Sequence, residues 1–144
     1  MSIAEIVEVL GGKTTFKRAV NTNDDLIAQV RVGLPASTVP LLAQTLSLQR
    51  VQVAERLNIP APTLSRRLSS KARLTHEESD RTLRMARIIA LAKEVLGTEV
   101  KASAWINTPN RALAGRKPFD DLDTELGVRS VEEVLYRIAY GMYS

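Results

Sequence analysis

The chain has 144 residues, 44% of them hydrophobic, with a formal net charge of +4, no cysteine and one histidine. This excludes disulfides and thiolate zinc sites, a lone histidine cannot build a metal site, and no apolar run reaches the roughly eighteen residues of a membrane helix. A soluble cytoplasmic protein without metal or cofactor is expected, with one core or two small cores joined by a shared element.

Apolar residues recur at helical spacing nearly everywhere, so the expected fold class is all-α. "SIAE" at Ser2 to Glu5 has the pattern of a capping box, and the short helix after it stops at Gly11 and Gly12. Gly12, Lys13 and Thr14 do not make a phosphate loop, because Val7 stands where that motif needs glycine. A second helix is expected in "NDDLIAQVRVGLP", capped by Asn23 or Asp24 and stopped at Gly33 and Pro35. "STVPLLAQTLSL" gives a third.

The spacing then predicts a helix-turn-helix within about residues 47–70, with helices over 51–57 and 61–69. Ala54 lets the helices cross closely, and Val51, Leu57 and Ile59 are placed to fill the angle between them. Asn58 tolerates the left-handed turn, and Pro62 fits a first turn that has no amide partner to lose. With Leu64 and Leu68 inward, Pro62, Arg66 and Ser69 point outward, and Thr63, Ser65 and Arg67 flank them.

Residues 63–73 contain Arg66, Arg67, Lys71 and Arg73 and no carboxylate. Residues 61–93 hold eight Lys and Arg against three Asp and Glu, whereas residues 94–144 hold six against eight. The basic surplus in mid-chain fits a polyanion. On that reading Arg66 forks onto a guanine edge, Thr63 and Ser65 meet phosphate or base, and Arg67, Lys71 and Arg73 neutralise phosphates. A solvated arginine pair on a two-helix corner stays open beside it. So does a scaffold that has lost DNA binding, since Pro60, Ala61 and Pro62 offer nothing to a base edge.

"THEE" at Thr75 to Glu78 opens the longest periodic stretch, which runs to Gly97. Its apolar residues occupy more than one face, so it is expected to join an N-terminal helical domain, 1–73, to a C-terminal one, 74–144. His76 reads as a surface residue. The acidic group Asp120, Asp121, Asp123 and Glu125 lacks the spacing of a calcium loop and reads as helix-start acids. Trp105 is expected to anchor the C-terminal core, and Ser130 with Glu133 to cap a last helix that Gly141 ends. No nucleophile or paired-carboxylate arrangement emerges, so no enzyme is expected.

The strings "RRLSSKARLTHEESDRTLRMARIIALAKEVLG" and "AWINTPNRALAGRKPFDDLDTELGVRSVEEVLYRIAYGMYS" resemble the Xre/ParS/MbcA-type antitoxins of bacterial toxin–antitoxin operons. The matching positions are Trp105, Pro109, Asn110, Leu113, Gly115 and Pro118, then Arg137, Ile138 and Gly141. The resemblance implies a helix-turn-helix for operator binding and autoregulation, and a C-terminal domain that dimerises and covers the pocket of a RES-domain, NAD-consuming toxin. Arg137, Tyr140, Met142, Tyr143 and the Ser144 carboxylate are the expected toxin contacts, because Tyr, Arg and Met favour interface cores. These terminal groups would otherwise fold back on their own domain. A homodimer is implied, since so short a recognition helix reads a half-site weakly alone. The alternative class is a one-component regulator that senses a small molecule near Trp105.

Overall fold

The structure is a computed structural model, and it describes residues 1–141. Among these, α1 is Ile3–Val9, α2 Asn23–Val32, α3 Thr38–Leu46, α4 Arg50–Arg56, α5 Ala61–Ser70, α6 His76–Leu96, α7 Glu99–Ile106 and α8 Glu125–Ala139. Short 3-10 turns lie at Gly12–Thr14, Arg111–Leu113 and Pro118–Asp121. The extended pairing among the described residues is an isolated antiparallel bridge between Pro35 and Arg73.

The helices begin where short polar side chains satisfy orphan amides. Ser2 and Glu5 exchange reciprocal hydrogen bonds of 3.2 and 3.1 Å, as the sequence predicts. So do Thr75 and Glu78 at the start of α6, at 3.2 and 2.8 Å. Two caps differ from expectation. The cap of α2 is Thr22, whose hydroxyl accepts from the Asp25 amide at 3.1 Å, so Asn23 and Asp24 lie inside the helix. The cap of α8 is Thr124, and Ser130 sits within the helix donating to the Leu126 carbonyl at 3.1 Å. The early start of α8 depends on Gly127, where an added Cβ would lie 1.9 Å from the Asp121 carbonyl oxygen.

Helix α6 is the spine. It packs against α1, α2 and α3 as well as α7 and α8, and it buries Met85, Ile88 and Ala92 together with Ala86, Ile89 and Ala90. Its apolar girth reflects contact on several sides, as the sequence predicts. One continuous hydrophobic cluster includes Leu10, Leu42, Leu57, Leu64, Ile88, Ile106 and Leu135. Each fully buried leucine contributes about 2 kcal/mol of hydrophobic free energy.

The fully buried Ser79 and Thr82 both find hydrogen-bond partners. Ser79, fully buried, accepts from the Leu34 amide at 2.8 Å, and Thr82 donates to the Glu78 carbonyl at 2.8 Å. Trp105, expected as an anchor, is only partly buried. The inward face of α7 is Ala102 and Ile106, four residues apart, which leaves Trp105 on its flank.

Asn107 ties α7 to α3. Its side-chain amide donates to the Leu46 carbonyl at 2.8 Å and to Ser103 at 3.0 Å. Asn107→Ala is expected to reduce the free energy of unfolding by about 1–2 kcal/mol, read as a lower urea midpoint with unchanged slope.

Candidate nucleic-acid interface and C-terminal surface

Helices α4 and α5 form the expected helix-turn-helix. Asn58 is left-handed at φ 56°, and its amide donates to the Glu55 carbonyl at 3.0 Å. Pro62 lies in the first turn of α5. Ala54, Leu57 and Ile59 are buried between the helices, as predicted, but Val51 is half exposed and Val53 takes the inward place. The 3.6-residue period puts Val53 and Leu57 on one stripe and turns Val51 away from it.

On α5, Leu64 is buried and Leu68 packs at the core's edge. Pro62, Ser65, Arg66 and Ser69 are exposed, and Thr63 is partly buried. Arg66 therefore stands free on the outward face. Arg67 does not: it is partly buried and forms an ion pair with Glu78, a buried carboxylate whose Oε1 also accepts from the Thr75 amide. The expectation that Arg67 neutralises phosphate is corrected here, because its charge is spent inside the protein. Lys71 closes α5 with φ 55° and is exposed. Arg73 is exposed and donates to the Gly33 carbonyl at 2.8 Å.

Arg56 links this motif to the C-terminal part. It lies over the Phe119 ring, 5.4 Å from the centroid, and 3.6 and 3.9 Å from Asp120 and Asp123. Asp120 and Asp121 lie in the 3-10 turn Pro118–Asp121 and Glu125 in the first turn of α8, as expected of helix-start acids, and Asp120 and Asp123 serve in addition as partners for Arg56. Asp121 grips Arg116 through two hydrogen bonds of 2.8 and 3.1 Å, and that hydrogen bonding raises the guanidinium's pKa. Among the described residues no group of three or more His, Asp and Glu side chains is placed to share a cation.

In the C-terminal part, Asn110 caps the 3-10 turn Arg111–Leu113, accepting from the Ala112 amide at 2.9 Å. Leu113 and Pro118 are buried, and Gly115 has φ 84°. These positions shape the backbone. The outer face of α8 is different: at about 100° per residue Leu126, Arg129, Glu133, Tyr136 and Tyr140 share one side. Leu126 and Tyr140 are each 77% exposed and Tyr136 43%. Arg137, beside them, is bonded to Glu133. Tyr136 was not among the expected contacts, although its place one turn before Tyr140 was the available signal. Met142, Tyr143 and Ser144 lie outside the described residues.

A helix-turn-helix with one outward arginine face, joined through a long helix to a small helical unit with an exposed aromatic face, defines a two-part helix-turn-helix protein. Residues 25–87 match the antitoxin Xre-like helix-turn-helix domain, and residues 91–141 match the antitoxin Xre/MbcA/ParS C-terminal toxin-binding domain. The chain is similar to an antitoxin Xre of Photorhabdus laumondii, 31% identical over 120 residues that cover 83% of this chain and 81% of the relative. An antitoxin Xre of Pseudomonas putida is 41% identical over 83 residues, 58% of this chain and 52% of that protein. A Prs ADP-ribosylating antitoxin of Sphingobium sp. is 24% identical over 129 residues, covering 83% and 81%. The chain belongs to the Xre antitoxin family. It is the antitoxin of a toxin–antitoxin system, and no enzyme family is indicated. No helix among the described residues is long and apolar enough to cross a membrane.

Proposed function

We propose that this antitoxin neutralises a RES-domain, NAD-consuming toxin by covering its active-site pocket, and represses its own operon by binding operator DNA as a homodimer. The division of labour falls near residue 73, with DNA contacts before it and toxin contacts after it.

The observation that carries the DNA half is the outward face of α5. Arg66 and Ser65 are exposed there and Arg66 has no carboxylate partner among the described residues, so a bidentate bond to a guanine edge costs no existing ion pair there. Thr63 lies at the flank, and Lys71 and Arg73 supply charge for phosphates. The toxin half is supported by the match of residues 91–141 to a toxin-binding domain and by the exposed tyrosines of α8. The name of the Sphingobium relative points to ADP-ribosylation, a chemistry that draws on NAD.

The deciding experiment co-expresses the chain with the product of the adjacent gene. A stoichiometric complex in which the toxin's NAD consumption is silenced is the expected result; a chain that purifies alone and leaves that activity intact would overturn the reading. For the DNA half, Arg66→Ala is expected to weaken binding to the operon's own promoter by about 10- to 100-fold, through loss of roughly 1–3 kcal/mol at one base pair. Thermal stability and neutralisation should be unchanged, which fluorescence anisotropy, calorimetry and a growth-rescue assay will read.

A further inference from the structure

Residues 11–20 carry Lys13, Lys17 and Arg18 and no carboxylate, and residues 63–73 have the same character. The fold brings these two distant stretches to the walls of one cleft of about 710 Å³. Lys17 and Arg18 line one wall, Arg67 and Lys71 the other, and Arg73 lies with them; no Asp or Glu lines the cleft.

The walls are held firmly. Phe16 and Val20 are buried on either side of Lys17 and Arg18, and Thr15 donates to the Leu10 carbonyl at 2.6 Å. Across the cleft, the Ala72 amide donates to Arg67 at 2.8 Å, Ala36 to Ala72 at 3.1 Å and Leu74 to Leu34 at 2.8 Å. Gly33 permits this close pairing, since a Cβ there would sit 2.3 Å from the Leu74 carbonyl oxygen.

Arg67 is neutralised by Glu78. Among the described residues Lys17, Arg18 and Lys71 have no ion-pair partner, and Arg73 meets only a carbonyl. Four uncompensated cations face one concavity, where fixed like charges raise the local potential and select an anion. Such a lining suits a phosphate chain rather than a nucleotide with its base: the cleft's one aromatic residue, Phe16, is buried, so no ring is offered for a base to stack on. Arg67, Leu68 and Lys71 belong both to this cleft and to the end of α5, so the cleft is continuous with the recognition helix.

We propose that this cleft, built by Lys17 and Arg18 against the C-terminal end of α5, clamps the phosphodiester backbone of the same duplex that α5 reads. The proposal rests on the DNA-binding half of the function above. It extends the DNA contact to a segment outside the helix-turn-helix, and its contribution is independent of sequence.

The test measures binding to the promoter duplex by fluorescence anisotropy across a salt series for the wild type, Lys17→Ala/Arg18→Ala and Arg66→Ala. Lys13→Ala serves as a control from the same stretch. Each phosphate neutralised adds about 0.9 to the slope of log affinity against log salt. The double variant is therefore expected to lose about 1.8 from the slope per bound chain, so that the wild type loses about tenfold more affinity than the variant between roughly 50 and 200 mM salt. Lys13→Ala should match the wild type, and the melting temperature of every variant should be unchanged.

An unchanged slope in the double variant, with binding still weakened by Arg66→Ala, overturns the clamp and leaves the DNA reading standing. Absence of duplex binding by the wild type overturns both. Micromolar binding of inorganic pyrophosphate that is lost in the double variant, with an unchanged DNA slope, overturns the clamp in favour of a small-anion pocket.

Discussion

Replacing Arg67 with alanine is expected to destabilise the protein by about 2–3 kcal/mol, while the same change at its neighbour Arg66 costs close to nothing. The side chains of Arg67 and Glu78 are only 18% and 10% exposed. Removing one member of a buried pair strands the other charge, at about 3–5 kcal/mol when burial is complete; residual exposure here trims that figure. Glu78 also belongs to the capping box of α6, so its loss releases the Thr75 amide and loosens the start of the spine. Glu78→Ala should therefore cost at least as much as Arg67→Ala. Glu78→Gln, which keeps an oxygen for that amide, should cost less. A double-mutant cycle in urea is expected to return a coupling of about 1–2 kcal/mol; additive effects would show that the pair is not an energetic unit. At temperatures where both variants are folded, Arg67→Ala should leave the salt slope of DNA binding unchanged. A combined Arg66→Ala/Arg67→Ala variant would mix a binding defect with a folding defect.

The contrast between these two arginines marks the limit of what the sequence reveals. The helix-turn-helix was legible because its cues are local: Asn58 at the turn, Pro62 in a first turn, and leucines at helical spacing. The spine was legible because α6 is long and capped by adjacent residues. Arg66 and Arg67 differ only by about 100° of helix, and which of them turns inward is decided by Glu78 on the next helix.

Long-range partners account for the other misses. Arg56 finds Phe119 and Asp120 more than sixty residues away, and nothing near Arg56 announces them. Lys17 and Arg18 look like ordinary loop cations until the fold sets them across from Lys71. Helix α7 went unseen for a local reason. It begins two residues after the glycine that stops α6, and its exposed Val100 blurs an already short apolar stripe. The start of α8 was read six residues late because Ser130 and Glu133 mimic a cap, while the true start rests on Gly127 fitting under the Asp121 carbonyl.

The largest functional effect is expected at the outer face of α8. Tyr136→Ala/Tyr140→Ala should weaken the complex with the toxin by roughly a thousandfold and abolish growth rescue. Interface tyrosines that anchor a partner cost about 2 kcal/mol or more when truncated, which is about 30-fold each, and two together approach the square of that if they act independently. The fold should tolerate the change, since Tyr140 is 77% exposed and α8 is held from its other face by Val128, Val131, Val134 and Leu135. Tyr140→Phe separates the ring from its hydroxyl: retained affinity assigns the contact to the aromatic surface, and lost affinity assigns it to a hydrogen bond. A chain ending at Gly141 measures Met142, Tyr143 and Ser144 by themselves. Titration calorimetry with the purified toxin reads all four proteins, with circular dichroism confirming that α8 persists. If the double variant binds within about threefold of the wild type, α8 does not carry the interface, and inhibition must be assigned to another surface of residues 91–141.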